Sequence, residues 1–140
     1  MRGHVLVGKS REAVRDDPQS AKAHRNLGDS LLARGAVEEG LREMRAAAAL
    51  APDDGSLHYD LGSALLEQGR GDEAVTELTE AVNRLPAYAE ARNNLGIALG
   101  MSGRFDEAIV QFREAIRLKP DFADARRNLD MALASRRRSP

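Results

Sequence analysis

The chain has 140 residues, of which 42% are hydrophobic and 31% are charged, a composition typical of one helix-rich globular domain. The formal net charge of −1 argues against overall charge as a means of binding nucleic acid or a membrane, and the absence of cysteine excludes disulfides, thiolate metal sites and cysteine nucleophiles. No apolar run approaches the ~20 residues of a transmembrane helix and no signal peptide is evident, which favours a cytoplasmic location but leaves the compartment unknown.

The N-terminal segment, residues 1–19, predicts a single helix that ends before Pro18. Its expected apolar face consists of Val5, Leu6, Ala13 and Val14. Gly8 and Ser10 interrupt this face, so we expect this helix to be less stable than those that follow.

Beyond this segment, several residue types recur with a fixed period of 34. They are Pro18, Pro52, Pro86 and Pro120; Gly28, Gly62 and Gly96; Leu27, Leu61 and Leu95; and Ala47, Ala81 and Ala115. One period shared by several residue types is the signature of a helical repeat array. The full copies span residues 21–54, 55–88 and 89–122, and counting back by one period makes residues 1–19 the second half of an earlier repeat.

Each copy predicts a helix hairpin, which the third copy illustrates. Gly103 follows a helical run and suits the left-handed conformation just past a helix end. Asp106 and Glu107 suit the positive N-terminal end of a second helix, and Pro120 stops that helix. The same pattern predicts helices at residues 21–33, 37–50, 56–68, 72–85, 89–102, 105–119 and 122–135.

With Ala89 as position 1 of a repeat, the landmarks resemble those of the tetratricopeptide repeat (TPR), which has Leu at position 7, Gly at 8, Ala at 20 and 27, a large apolar residue at 24 and Pro at 32. The third copy supplies Leu95, Gly96, Ala108, Phe112, Ala115 and Pro120. The departures are Gly40 in place of alanine at position 20, and polar residues at position 4, where the family has a large one. The position-4 residues are His24, His58 and Arg92.

The resemblance implies an all-α fold, a right-handed superhelical α-solenoid of antiparallel hairpins with about eight helices. One TPR domain would cover residues 1–136, made of the N-terminal half repeat, the three repeats and a capping helix at 123–135. Residues 136–140 would form a basic tail. Asp130 replaces the packing glycine in the capping helix, as suits a terminal helix with no partner at that point.

The resemblance also implies where a ligand would bind. In TPR proteins the first helix of each repeat lines a concave groove, and positions 2, 5, 6, 9, 12 and 13 of that helix face it. The predicted peptide-binding residues are Arg25, Asn26, Asp29, Tyr59, Asp60, Ser63, Asn93, Asn94, Ile97, Arg127, Asn128 and Met131.

Position 6 forms a column of Asn26, Asp60, Asn94 and Asn128. Because side-chain amides both donate and accept hydrogen bonds, this column could hold the main chain of a peptide. In that respect it is similar to the asparagine ladder in the TPR arm of the nucleocytoplasmic O-GlcNAc transferase. The alternative is that these side chains bond within the array. The carboxylate clamp of chaperone-adaptor TPRs is not expected, because Asp29, Asp60 and Glu90 stand where that clamp needs neutral or basic groups.

No residue pattern predicts catalysis. His24 and His58 lie one repeat apart, hence ~8–10 Å apart by helix packing, too far to share a zinc ion bound at ~2.0–2.1 Å. We expect them to fill the slot of the family's large residue, and His4 has no partner pattern. No glycine-rich phosphate loop or nucleophile motif is present, so we expect no catalytic residue, metal or cofactor.

The sequence therefore predicts a non-catalytic protein–protein interaction module that binds a peptide segment of a partner protein in the groove. Tyr59, Ile97 and Met131 would supply apolar contacts, and neither nucleic acid nor membrane is an expected partner. The alternative is a homo-oligomerisation module that uses the groove or the incomplete N-terminal flank, because an incomplete repeat leaves an apolar flank uncovered. The identity of the partner does not follow, since repeats keep scaffold residues and vary contact residues.

Overall fold

The computed structural model describes residues 2–140, with side chains from residue 6 onward. These residues form eight helices and no strand, which confirms the all-α prediction. The helices are α1 (Arg2–Asp16), α2 (Ala21–Ala33), α3 (Val37–Leu50), α4 (Gly55–Glu67), α5 (Gly71–Arg84), α6 (Ala89–Met101), α7 (Phe105–Leu118) and α8 (Ala123–Arg138). The expectations for the side chains of His4 and Val5 lie outside the described residues.

The predicted bounds of α2 to α7 agree with the structure to within one residue, but the predicted end of α8 is wrong. That helix continues past Ser135 to Arg138. Arg136 Nη1 lies 3.2 Å from Asp106 Oδ1 on α7, and arginines in a last turn complement the negative C-terminal end of a helix. The three arginines of the predicted basic tail, Arg136 to Arg138, are therefore helical.

The three hairpin turns share one geometry. Gly35, Gly69 and Gly103 have φ angles of 86°, 72° and 77°, the left-handed region that glycine enters at low cost. The backbone N–H of Arg104, just past Gly103, donates back to the Leu99 carbonyl at 2.9 Å. This is the capping pattern of a helix that ends in a left-handed glycine, as predicted for Gly103.

The hairpins stack in order along the chain. The helices of each pair α2–α3, α4–α5 and α6–α7 pack together, and α3, α5 and α7 each pack against the helix that follows. The main core runs from Leu41 on α3 to Ala132 on α8 and includes the fully buried Leu61, Leu78 and Ile109. Such neighbour-only packing is that of a helical solenoid.

The position-8 glycines allow the two helices of a hairpin to approach closely. A Cβ atom on Gly96 would lie 2.5 Å from Cε1 of Phe112, and a Cβ on Gly62 would lie 2.6 Å from Cγ of Leu78. Both distances are shorter than van der Waals contact. The large residue at position 24 therefore packs directly on the backbone of the first helix.

The packing face of α1 differs from the prediction. Val7 is buried and packs with Leu27 and Leu31 of α2, whereas Leu6 is 56% exposed and Ala13 is also exposed. Leu6 and Ala13 occupy positions 20 and 27, which in the complete repeats face the first helix of the same hairpin. No helix precedes α1 in the described chain, so these two side chains face solvent.

Candidate functional site

The first helices of the repeats line the inner face of the stack. Direct contacts join α4 to α6 and α6 to α8, whereas α3, α5 and α7 make no contacts of that extent with one another in residues 2–140. Helices on the inside of a curved stack lie closer together than those on the outside. The concave face is therefore formed by α4, α6 and α8, and α2 continues it because Asp29 and Leu32 of α2 line a pocket together with residues of α4.

One pocket of the concave face lies between α6 and α8 and has a volume of about 260 Å³. We call it the apolar pocket; its walls include Ile97, Met101, Phe105, Phe112, Met131 and Ala132. Met101 is 48% exposed and Met131 is 67% exposed. Exposed methionines are flexible and polarizable, which suits contact with apolar side chains of varied shape.

A second pocket lies between α2 and α4, with a volume of about 320 Å³. We call it the acidic pocket, because Asp29, Asp60 and Glu67 line it together with Leu32 and Met44. It is the same pocket two repeats earlier: Asp29 and Ile97 both occupy position 9 of their repeats. The two ends of the concave face thus repeat one shape with different side chains.

Partial desolvation shapes the electrostatics of the acidic pocket. It raises the pKa of Asp29, which is still exposed, and of the half-buried Asp60 above the usual value, against the opposing charge of Arg25. Arg25 Nη1 lies 3.8 Å from Asp60 Oδ2, and Arg25 Nε is buried without a hydrogen-bond partner. Three carboxylates therefore share the pocket region with one guanidinium.

The structure brings part of the asparagine column into contact with neighbouring helices. Asn94 Nδ2 donates to Ser63 Oγ at 3.0 Å, and Asn128 Nδ2 donates to Asn93 Oδ1 at 3.1 Å. Asn93 is only 6% exposed, whereas Asn26 is exposed. These bonds link α4 to α6 and α6 to α8, and the role of the column in peptide binding stays a prediction.

The other predicted groove residues divide between the middle and the end of the face. The half-buried Tyr59 packs against Tyr88 with ring centroids 4.7 Å apart. Burial, followed by the hydrogen bond to Tyr59, raises the pKa of Tyr88 to about 12. Arg127 is exposed and pairs with Asp124 on its own helix, so this guanidinium lies at the rim.

The position-4 residues have a structural role, and we call them turn-bridging residues. His24 places Nδ1 2.6 Å from Glu43 and Nε2 2.8 Å from the Pro18 carbonyl. His58 repeats the arrangement with Glu77 at 3.0 Å and Pro52 at 2.9 Å. Each ring therefore ties a first helix to the preceding turn and to its own second helix.

Arginines take this position in the later units: Arg92 makes both connections, and Arg126 bonds to the preceding turn. Arg92 Nη2 donates to the Pro86 carbonyl at 3.1 Å and Nη1 donates to Gln111 Oε1 at 3.2 Å, while Arg126 Nη2 donates to the Pro120 carbonyl at 2.7 Å. The polar residues at position 4 thus fill the slot of the family's large residue, as expected of the histidines, and also form hydrogen bonds.

Two pocket residues were absent from the predicted set although the sequence indicates them. Met101 and Ser135 both occupy position 13, which the resemblance places on the groove, and both line the apolar pocket. Phe105 was harder to find, because it belongs to the second helix and reaches the pocket only at the hairpin turn. The described residues contain no cluster of three or more metal-ligating side chains.

None of the helices described has the length and apolar character needed to cross a bilayer.

Comparisons with known proteins agree with this architecture. The sequence profile of the tetratricopeptide repeat matches residues 11–55 and 59–121. A comparison with curated protein sequences gives no significant match.

Three solved structures illustrate the likeness. The crystal structure of YrrB, described as a TPR protein with an unusual peptide-binding site, has a TM-score of 0.86 and 25% identity over 97% of this chain and 70% of that chain. A crystal structure of MamA has a TM-score of 0.85 and 22% identity, covering 93% of this chain and 71% of that one. MamA from Desulfovibrio magneticus RS-1 has a TM-score of 0.82 and 18% identity over 97% and 82%.

The family profile covers most of the chain, and the helix hairpins, the left-handed turn glycines and the position-8 glycines recur in each repeat as that profile requires. The chain therefore belongs to the tetratricopeptide repeat family and is a protein–protein interaction module.

Proposed function

We propose that the chain binds a peptide segment of a partner protein along its concave face. The observation that carries this proposal is the pair of open pockets between the first helices, one apolar and one acidic, at equivalent positions of the repeat. Ligand pockets typically combine apolar walls with a few polar groups that fix orientation. The apolar pocket has this composition, whereas polar side chains form most of the lining of the acidic pocket.

YrrB gives further support. YrrB is described as having a peptide-binding site, and its fold superposes on nearly all of this chain. The twelve predicted groove residues lie on α2, α4, α6 and α8, the helices of the concave face. We assign to the concave face a protein or peptide partner, and we assign it no nucleic acid, membrane, metal or cofactor. The role that we propose is non-catalytic. The cytoplasmic location favoured by the sequence stays a prediction.

Selection from a random peptide library against the folded chain tests the proposal. Recovered peptides are titrated against a Met131→Glu variant, which places a charge in the apolar pocket. The matched control is Val110→Glu, because Val110 is similarly exposed at 60% but lies on α7, a second helix. We expect Met131→Glu to weaken binding at least about tenfold and Val110→Glu to leave it unchanged. Equal binding by both variants would place the binding surface elsewhere.

The second candidate is self-association through α1, which the exposure of Leu6 and Ala13 favours. An uncovered repeat flank is an apolar surface that a second copy can cover. Static light scattering over a range of concentrations tests this candidate, with Leu6→Glu as the disrupting variant. A wild-type protein that stays monomeric at the highest concentration excludes it.

A further inference from the structure

The two pockets of the concave face differ in chemistry at equivalent positions. Position 9 is Asp29 in the acidic pocket and Ile97 in the apolar pocket, and position 6 of the opposite helix is Asp60 in one and Asn128 in the other. A segment that occupied both pockets would therefore meet carboxylates at one end and apolar side chains at the other. Its own side chains must complement both.

The spacing of the repeats sets the distance between the pockets. The acidic pocket lies between α2 and α4, and the apolar pocket lies between α6 and α8, two repeats further along. We take the ~8–10 Å between packed helices as the length of one repeat step, so two steps span roughly 16–20 Å. An extended chain advances ~3.3 Å per residue, so about six residues connect the two pockets.

The surface between the pockets favours an extended backbone. It carries the amide of Asn94, which donates a 3.0 Å hydrogen bond to the hydroxyl of Ser63 at the edge of the acidic pocket. An extended segment exposes main-chain N–H and C=O groups that such side chains can bind. A helix satisfies its own main chain and would need an apolar stripe at this place instead.

Charge identifies the side chain for the acidic pocket. Asp29, Asp60 and Glu67 line the pocket, and Arg25 is the cation paired with Asp60. Asp29 and Asp60 are partly desolvated, so a cation that enters the pocket compensates charges that water screens less than it would on an open surface. A second cation complements the remaining charge.

Resting on the proposed function, we propose that the partner segment is extended and presents an apolar side chain to the apolar pocket and, about six residues away, an arginine or lysine to the acidic pocket. The apolar side chain and the basic side chain are the two features by which this chain would recognise its partner. The segment between them contacts the chain mainly through its main chain.

Fluorescently labelled synthetic peptides test this inference by anisotropy titration. Each peptide carries one leucine and one arginine on an alanine–glutamine background, in both orders, with separations from about three to about twelve residues. We expect the tightest binding near a separation of about six, and a loss of about tenfold when the arginine is replaced by alanine. Tightest binding near a separation of about twelve would indicate a helical segment and overturn the inference.

A pair of charge-matched variants assigns the arginine to its pocket. Asp29→Asn with Glu67→Gln removes two negative charges from the acidic pocket, whereas Glu12→Gln with Glu107→Gln removes two from exposed sites on α1 and α7. We expect the first pair to weaken the arginine peptide about tenfold and to leave the alanine peptide unchanged. Equal effects of the two pairs would overturn the inference. Thermal unfolding of each variant confirms that the fold is intact.

The outcome separates this inference from the proposed function. If library peptides bind in a Met131-dependent way but contain no basic residue, the proposed groove function stands and the proposal of an arginine or lysine in the acidic pocket fails. If they bind independently of Met131, the groove function itself fails.

Discussion

Repeat one (residues 21–54) and repeat three (residues 89–122) fill the same hairpin backbone differently. A Cβ on Gly28 would lie 2.6 Å from Met44 Cγ and 3.0 Å from the Gly40 carbonyl, so backbone meets backbone. At Gly96 the three nearest atoms all belong to the ring of Phe112. Gly40, which departs from the family pattern, thus allows the two helices of repeat one to approach more closely. This closer approach compensates for Met44, which is smaller than Phe112.

The two repeats also differ in how they pack against the next helix. Ala47, Ala48 and Leu57 form a small cluster of their own between α3 and α4, separate from the main core. Met44 of repeat one and Phe112 of repeat three both belong to the main core. Buried apolar area stabilises a fold roughly in proportion to its extent, so we expect the larger side chain, Phe112, to contribute more than Met44.

The largest expected effect comes from removing the ring on which repeat three depends. Phe112 is 3% exposed, and Phe112→Ala should reduce the free energy of unfolding by about 3–5 kcal/mol through lost burial and a cavity. Met44→Ala, at the equivalent position of repeat one, should cost less, about 2 kcal/mol. Urea denaturation followed by circular dichroism measures both. A larger loss for Met44→Ala would reverse the comparison.

A smaller effect is expected from adding a methyl group opposite the same ring. In Gly96→Ala the new Cβ would lie 2.5–2.8 Å from three atoms of Phe112. Overpacking costs about 1–3 kcal/mol, and alanine recovers about 1 kcal/mol of helix propensity, so we expect a net loss of up to about 2 kcal/mol.

Gly100 on the same helix provides the matched control. Nothing lies within 4 Å of a Cβ built at this position, so Gly100→Ala should raise the melting temperature through helix propensity alone. Similar melting temperatures for the two variants would show that the ring of Phe112 moves aside without cost.

The sequence predicted the parts of this structure that depend on a repeated local pattern. Gly103 and the helix bounds follow from turn chemistry, and the buried position-8 glycines follow from the period of 34. The orientation of α1 did not follow, because the face that Val7 and Leu6 present depends on which neighbouring helix is there to pack against. That information lies outside the local pattern.

For the candidate site too, the sequence predicted the features that follow from the position of a residue within its repeat. Their positions within the repeat assigned Asp29, Ile97 and Met131 to the predicted groove, and these side chains line the two pockets; their part in binding stays a prediction. The hydrogen bonds of Asn94 and Asn128 depend on the spacing between helices of different repeats, and Phe105 enters the pocket from the second helix. Neither feature can be deduced from the positions of a single repeat.

Turn-bridging residues show the third difference between the two ends of the molecule. The first two repeats use His24 and His58, whose ring nitrogens each face an acceptor. Only an imidazolium can donate from both nitrogens at once. Burial lowers the pKa of both histidines, but the hydrogen bonds to Glu43 or Glu77 and to a proline carbonyl outweigh it, so each pKa is raised. Repeat three uses Arg92 at this position instead.

The smallest expected effect is therefore a pH dependence that belongs to the first two repeats. Because the folded-state pKa values of His24 and His58 exceed the unfolded value of about 6.5, the stability that they contribute is fully present below about pH 6.5 and is lost as the pH rises through the folded values. His24→Arg with His58→Arg copies the arrangement of repeat three and keeps its charge. We compare the free energies of unfolding of the variant and the wild type at each pH, because their difference cancels the contributions of all other titrating groups. The variant should become more stable relative to the wild type by about 1 kcal/mol between about pH 6 and pH 8.5. A difference that stays constant over this range would mean that neutral histidines bridge the turns as well as charged ones do.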